Sequence, residues 1–364
     1  MEEYRDIHQS SKSLELTIKR INSSSMSNKE KENINKFILD LKIGKAGKKV
    51  KDRRIGSYLQ FLTKLHKYFK KDIDKITEKE ATKFYTDLQE DKIKKDNGMP
   101  FAQASKDEFV KTIKRYLGWA WNSRDNTRYK KSISWMKEDY KKSDKKAITL
   151  KDVEKIINQE NSIRNKCLFM LLFDSGARIE EALNIRLKDM KKSNDNKFYM
   201  IHLRGQKTEE ADRNISVPLT AKYINRWLKE HPSKEKEDYL FPIGYDNSRK
   251  IIKQMSKKVL GFELKPHELR HSSATFYIQK FGAENIGGFY YRFGWKFGSK
   301  EANTYIKSHL FGGEIGQKQV IKAVESGKVI ELEEDIEKMK KQIYTLSKHL
   351  LKNERQSITI HKIK

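Results

Sequence analysis

A histidine and an arginine stand three residues apart in the segment KPHELRHSSAT, residues 265–275. If this segment is helical, His267 and Arg270 project from the same face, because residues three apart are neighbours on a helix. Pro266, just before them, suits the first turn of a helix. A guanidinium donates paired hydrogen bonds to a phosphate, and an imidazole moves a proton near neutral pH. The segment therefore predicts a site that binds a phosphate and transfers a proton.

A second arginine follows a helix break in the segment DSGARIEEAL, residues 174–183. The pair Ser175-Gly176 ends the preceding apolar helix, and Arg178 opens a new one. Glu181, three residues later, can pair with Arg178 or simply support the helix. Taken alone, this motif does not distinguish a site from an ordinary helix salt bridge.

A lysine lies between two segments that have strand character, residues 198–203 and 214–218. The sequence RGQKT begins the connection, so we predict a β-hairpin with Lys207 near its tip. A lysine at a hairpin tip is usually only solvated. Lys207 would contribute to chemistry only if the hairpin folds over the pocket.

The segment FGWKFGSKEANTY, residues 293–305, supplies a tryptophan and a tyrosine. A tyrosine is more often a packing residue or a surface ring than a nucleophile. The neighbours of Tyr305 are polar, namely Asn303, Thr304 and Lys307, so Tyr305 need not be a core residue. Trp295 follows a glycine and could border the same pocket.

The 364 residues that position these side chains suggest two domains, and frequent Lys, Glu, Leu and Ile with only five prolines predict mostly helix. We interpret residues 1–27 as a flexible arm or linker that could hold one short helix. A further helix should start near Ser27, its N-cap, with Glu30 at the capping-box position. Residues 28–142 have the helical spacing of a small all-helical domain. A charged linker then leads to a second, larger domain over residues 147–325, with Thr149 as the N-cap of its first helix.

The net charge of +28, from 78 basic and 50 acidic residues, favours a polyanionic partner, most simply nucleic acid. A lysine-rich proteome would give the same charge without such a partner. Residues 45–54 hold six basic residues ahead of a helix N-terminus and could line a DNA backbone or form a solvated loop. These candidate DNA-binding residues are Lys45, Lys48, Lys49, Lys51, Arg53 and Arg54.

The single cysteine, Cys167, lies in the apolar run CLFMLLF, which is too short to span a bilayer. We predict that Cys167 is a core residue and that the protein is free of intramolecular disulfides, which fits a reducing compartment. The charged N-terminus has no apolar signal segment. We therefore expect a soluble, cytoplasmic protein with no membrane partner, associated with the nucleoid if its polyanion is DNA.

A heptad pattern marks the C-terminal residues 326–364. Such an a/d pattern over three heptads is compatible with a self-associating coiled coil or with an amphipathic helix packed on its own domain. The apolar positions are Val329, Leu332, Ile336, Met339, Ile343, Leu346 and Leu350.

The order of these motifs over residues 28–310 resembles the tyrosine recombinase (phage integrase) family. The GxR-xx-E segment at 176–181, the HxLRH box at 267–271 and the GW-to-Tyr segment at 294–305 carry the resemblance, and the box is the most specific. Trp295 replaces the histidine that is frequent in the family, and its spacing to Tyr305 is similar to archaeal integrases. The heptad tail is not typical of the short Xer proteins. The positions that match the family's catalytic residues are Arg178, Lys207, His267, Arg270, Trp295 and Tyr305.

The resemblance implies a mainly α fold with a small β-hairpin or sheet (α+β), built from a helical core-binding domain and a catalytic domain. It implies a site-specific recombinase, working on a mobile element, in which Tyr305 becomes a 3′-phosphotyrosine. Two arginines would hold the phosphate, Lys207 would protonate the departing 5′ oxygen, and His267 would take the tyrosine proton or bind a phosphate oxygen.

Double-stranded DNA would be the partner, in a tetrameric homo-oligomeric synapse, and no cofactor or metal would be needed because the phosphoester energy is stored in the intermediate. Two other functions are open to the same residues. One is relaxation of DNA by a type IB topoisomerase-like enzyme, and the other is non-catalytic DNA binding.

Overall fold

The structure of the chain, a computed structural model, describes residues 5–122, 126–139, 147–205, 211–281, 285–308 and 336–344, together with Ser347. Two compact units make up the chain, Met1–Asp144 and Lys145–Lys364. Helices predominate in the described part of both units, and the strands described there form one three-stranded sheet. The mainly helical α+β fold predicted from the sequence is confirmed.

The first unit is a bundle of helices around one apolar core. The helical spacing in the sequence predicts these helices, and apolar residues at that spacing, among them Phe37, Leu59, Phe84 and Ile113, are buried. Ser27 caps the second helix, where its hydroxyl accepts from the Glu30 amide. The helices are α1 (Ser10–Asn22), α2 (Asn28–Ile43), α3 (Asp52–Phe69), α4 (Glu78–Gln89), α5 (Gln103–Ala120) and the single turn α6 (Thr127–Tyr129).

Within the predicted arm, residues 10–22 form the one short helix that the sequence allowed, but this helix is packed on the unit rather than free. These residues form α1, whose Leu14 and Ile21 are buried in the core of the unit against α3. The two side chains are seven residues apart, two helical turns, and so lie on one face. Burial of that apolar face holds the segment on the bundle despite its polar composition.

The second unit surrounds a buried helix with other helices and a small sheet. The apolar run that contains Cys167 is that central helix, and Cys167 is fully buried as predicted. Thr149 caps the first helix, as expected from the sequence. The helices are α7 (Leu150–Gln159), α8 (Ile163–Ser175), α9 (Ile179–Leu183), α10 (Ala221–Glu230), α11 (Tyr245–Leu260), α12 (Pro266–Phe281), α13 (Ile286–Phe293) and α14 (Lys300–Ile306).

The predicted hairpin is present as the antiparallel pair β2 (Tyr199–Leu203) and β3 (Arg213–Val217), in which Ile201 is paired with Ile215. A third strand, β1 (Met190–Lys192), pairs with the outer edge of β2 and was missed. Its sequence, MKK, is short and lacks the β-branched residues that indicate a strand. The alternation of buried and exposed residues along β2 and β3 directs one face of the sheet into the unit.

A buried carboxylate at the end of α8 ties four elements together. Asp174 accepts hydrogen bonds from the backbone amide and hydroxyl of Thr220 and from the hydroxyl of Tyr277 on α12. The guanidinium of Arg292, on α13, lies 3.2 Å from the same carboxylate. These bonds fix the C-terminal end of α8 relative to α12 and α13, and the site is built at that end.

Most of the heptad segment lies outside the described residues. Residues 336–344 are helical, and Ile336 and Ile343 are exposed there. Within the part of the chain that the structure describes, no helix is long and apolar enough to cross a membrane.

The first unit contains a carboxyl group that should make stability depend on pH. Burial of Glu30, next to Asp72 and Asp74, raises its pKa from 4.5 to about 7. The unfolded chain therefore releases this proton first, so stability falls as the pH rises from 4.5 to about 7 and stays lower above that. We expect Glu30→Gln to remove this loss, a gain on the order of 3 kcal/mol at about pH 8 with little change at about pH 4.

Urea unfolding of the full chain at both pH values, followed by tryptophan fluorescence, measures this gain. The matched control is Glu32→Gln, which removes an exposed carboxylate from the same helix and should leave the pH dependence unaltered. If Glu30→Gln and the parent protein lose stability equally between the two pH values, this carboxyl group is not the cause.

Candidate active site

The site begins at the glycine that ends α8. Gly176 has φ +60°, and a Cβ atom there would lie 2.2 Å from Cε1 of Phe293 on α13. Both the left-handed backbone and this close approach require glycine. The chain can therefore turn sharply between α8 and α9, which brings Arg178 to the N-terminus of α9.

Arg178 is half-buried and is oriented by a carboxylate one helical turn away. Its Nη1 lies 2.7 Å from Oε1 of Glu181, and its backbone amide donates to Oε2 of the same residue. The predicted pairing of Arg178 with Glu181 is present. Glu181 is only 3% exposed, so it holds Arg178 from the interior of the unit. The Arg178 side chain itself is still 26% exposed.

A third arginine, which the sequence reasoning missed, completes this cluster. Arg213 of β3 is fully buried, and its Nη2 lies 3.0 Å from Oε2 of Glu181. Its Nε also donates to the backbone carbonyl of Arg292. Burial would raise the pKa of Glu181, but Arg213, Arg270 and Arg178 together lower it. The cluster thus holds a carboxylate charged in the interior and keeps a net positive charge around it.

Arg270 lies on the first turns of α12 and is 3% exposed. Its Nη1 and Nη2 donate to the carbonyl oxygens of Gly176 and Phe293, each over 2.6 Å. The guanidinium is therefore attached to the ends of both α8 and α13. Burial lowers the pKa of Arg270, and Glu181 opposes that shift; a guanidinium remains protonated at neutral pH because its ordinary pKa exceeds 12.

The turn after α13 brings Trp295 and Tyr305 to the same place. Gly294, with φ +55°, ends α13 and lets Trp295 fold back onto the unit. Ser299, which lies between Trp295 and Tyr305, caps α14, where its hydroxyl accepts a hydrogen bond from the Ala302 amide. Helix α14 then carries Tyr305 over the ring of Trp295, with 5.5 Å between the ring centroids and 25° between the planes.

Tyr305 faces α12 and is 7% exposed. Its hydroxyl oxygen lies 2.7 Å from Nδ1 of His271. Burial raises its pKa to about 12; Arg270 lowers the pKa and Glu301 raises it further. The effect of burial on the pKa of Tyr305 therefore outweighs that of the Arg270 cation.

The structure brings four of the six predicted site residues to the junction of α8, α12 and α13. Arg178 and Arg270 share Glu181 as a charge partner, and Arg270 lies 5.2 Å from the centroid of Trp295, which stacks on Tyr305. His267 is exposed on the first turn of α12. Lys207 lies outside the described residues.

The six basic residues predicted for DNA binding lie in the first unit. Lys45, Lys48, Lys49, Lys51 and Arg53 are exposed, whereas Arg54 is half-buried and pairs with Glu108. Arg115 of α5 donates to the carbonyls of Ala46 and Lys48 and so holds the loop in place. The loop is therefore a fixed basic surface, lined further by Lys29 and Lys36 of α2.

The sequence of the second unit matches a known family. Residues 146–284 match the description "Phage integrase family". The second unit therefore contains a phage integrase domain. This match ends before Trp295 and Tyr305, so the positions of those two residues rest on the motif order and the geometry described above.

Known recombinases and transposases resemble the chain over different lengths. Tyrosine recombinase XerA of Saccharolobus solfataricus is 26% identical over 253 residues, which cover 68% of this chain and 79% of that protein. Transposase A from transposon Tn554 of Staphylococcus aureus is 28% identical over 174 residues, 42% of this chain. The chain spans only 46% of that transposase.

A crystal structure of the XerH site-specific recombinase, bound to a palindromic difH substrate, superposes with a TM-score of 0.54. The superposition covers 90% of this chain and 98% of that one, at 17% identity. The likeness supports the two-domain tyrosine recombinase fold predicted from the sequence.

Proposed function

We propose that this protein is a site-specific DNA recombinase that cleaves and rejoins strands through a phosphotyrosine at Tyr305. The observation that carries the proposal is the position of the Tyr305 hydroxyl, on a helix that packs against the Arg270 helix and against Trp295. Arg270 lies close enough to lower the pKa of Tyr305, and Arg178 shares Glu181 with Arg270 as a charge partner. A tyrosine near such cations suits attack on a phosphodiester.

Arg178 and Arg270 supply the electrostatic part of this reaction. In-line attack builds negative charge on the non-bridging oxygens of the scissile phosphate, and two guanidiniums neutralise it with directional hydrogen bonds. Both side chains are already oriented, Arg178 by Glu181 and Arg270 by two backbone carbonyls. Such preorganisation lowers the cost of reaching the transition state because the donors do not have to reorient.

Three further residues complete the proposed chemistry. Lys207 protonates the departing 5′ oxygen, and His267, exposed beside Arg270, binds a phosphate oxygen. Trp295 supports the nucleophile by stacking on its ring. The P–O5′ bond breaks as the Tyr305–phosphorus bond forms, and attack by a 5′ hydroxyl of a partner strand reverses the step.

Each domain has its own part in the proposed reaction on DNA. Residues 28–142 bind the duplex through the basic loop, whose exposed lysines suit phosphate contacts. Residues 147–325 form the catalytic domain. Four protomers, joined through the heptad segment, form a synapse that brings two DNA sites together. The similarity to a transposase favours integration or excision of a mobile element. The reaction takes place in the cytoplasm, on the nucleoid.

The direct test is a search for a covalent protein–DNA adduct. The full chain is mixed with lightly nicked DNA fragments that tile its own gene and flanks, because a nick lets the released strand diffuse away and traps the intermediate. A denaturant-resistant band confined to one fragment is the expected result.

Other outcomes of the same test distinguish the remaining functions. A band on every fragment, with relaxation of supercoils, would indicate a type IB topoisomerase-like activity. Binding to one fragment without any adduct would indicate a protein that only binds DNA.

A further inference from the structure

Two histidines lie on α12, and the one that meets the nucleophile is not the one singled out by the sequence motif. His271 places its Nδ1 at 2.7 Å from the Tyr305 hydroxyl oxygen. The two rings are tilted by 46°, with 5.2 Å between their centroids. His267, one turn earlier, is exposed at the start of the helix.

We propose that His271 is the general base that takes the proton of Tyr305, an inference that rests on the proposed function. With its proton on Nε2, the imidazole offers a lone pair at Nδ1 to which the Tyr305 hydroxyl donates. The distance lies in the range of a hydrogen bond along which a proton can move. In this assignment, His267 binds a phosphate oxygen and does not take the Tyr305 proton.

The Tyr305 proton moves to Nδ1 of His271 while the phenolate oxygen forms a bond to phosphorus. The P–O5′ bond breaks, and its electron pair leaves with the 5′ oxygen, which is protonated by the acid on the opposite side of the phosphate. His271 is then an imidazolium, and it returns the proton to Tyr305 when a 5′ hydroxyl attacks the phosphotyrosine.

The surroundings of Tyr305 explain why a base is needed. Burial raises the pKa of Tyr305, so almost none of it is phenolate at neutral pH. The charged groups that face it are Glu301 on its own helix and Arg270 on α12. Glu301 opposes ionisation, and Arg270 is a permanent cation that cannot accept a proton. An imidazole in direct contact with the hydroxyl supplies the missing acceptor.

A purely structural role for His271 makes a different prediction. His271 could serve only to hold the ring of Tyr305, and an asparagine would then replace it, since the Asn amide can occupy the place of Nδ1 and still hydrogen-bond. An amide cannot take up a proton, so His271→Asn separates positioning from base catalysis. His267→Asn, the same change one turn earlier on α12, is the matched comparison.

The experiment is single-turnover cleavage of a nicked site by the full chain, over a range of pH, with oxygen or sulfur as the 5′ bridging atom of the scissile phosphate. Sulfur leaves without being protonated, so it rescues defects in the general acid and not in the base. The wild-type adduct, formed first, establishes the proposed function independently. DNA binding by each variant is measured in parallel, so that a folding defect is recognised.

We expect His271→Asn to bind DNA normally and to cleave about 100-fold more slowly with either bridging atom. Wild-type cleavage falls at acidic pH, where the imidazole is protonated, and His271→Asn should lack this acid limb and speed up steadily with pH. His267→Asn should keep the acid limb. Near-wild-type cleavage by His271→Asn, an unchanged acid limb, or rescue by sulfur would each overturn the assignment of His271 as the base.

Discussion

Tyr305→Phe should form no covalent adduct with DNA, a loss of at least roughly 10⁴-fold in cleavage, because removal of a nucleophile leaves no intermediate to form. The substitution deletes one oxygen and keeps the ring that stacks on Trp295. The protein should therefore fold and bind its site as the parent does. Trapping on nicked DNA measures the adduct, and a gel-shift assay of the same fragment measures binding.

The chain offers a close control for this variant. Tyr290 is buried in the same apolar cluster, and its hydroxyl donates to Asn303 on the helix that carries Tyr305. Tyr290→Phe removes an equivalent oxygen next to the site and should still form the adduct. An adduct retained by Tyr305→Phe would show that another residue is the nucleophile, and equal losses in both variants would indicate a defect in packing.

The sequence predicted the helices well because their signals are local. Apolar residues at helical spacing, with Ser27 and Thr149 as N-caps, depend only on neighbours within a few positions. The packing of α1 was not predicted, because the burial of Leu14 and Ile21 depends on the core against which they pack. Polar composition alone does not reveal whether a distant helix will cover two apolar side chains.

The candidate site was predictable in its chemistry but not in the contacts between residues far apart in the sequence. Arg178, Arg270 and Tyr305 were identified by motif order, whereas the role of Arg213 depends on a strand 32 residues beyond Glu181. His271 was visible as the last letter of the HxLRH box, yet its contact with Tyr305 spans 34 residues and requires α14 to pack on α12. Such pairings arise from tertiary packing, which residue spacing does not encode.

Arg178→Ala should slow cleavage by roughly 10²–10³-fold with little effect on DNA binding, because one preorganised donor to the developing charge is lost. Arg178 is a better test than Arg270, whose removal would leave two backbone carbonyls without their buried partner. Glu181 would keep Arg213 and Arg270 as charge partners, so the fold should survive. Arg178→Lys should recover only part of the rate, since an ammonium cannot donate the paired hydrogen bonds of a guanidinium.

The control for Arg178 is another arginine–carboxylate pair of the same unit. Arg186 pairs with the exposed Glu237 and lies over the ring of Tyr239, so Arg186→Ala removes an equal charge without touching the proposed site. Single-turnover cleavage by Arg186→Ala should stay close to that of the parent, because Glu237 and Tyr239, which this guanidinium contacts, are not residues of the proposed site. Equal losses in Arg178→Ala and Arg186→Ala would mean that overall charge governs the rate. A deficit confined to Arg178→Ala would indicate that this guanidinium contacts the reacting phosphate. The cleavage rate would then depend on this particular donor and not on the loss of an equal charge elsewhere in the unit.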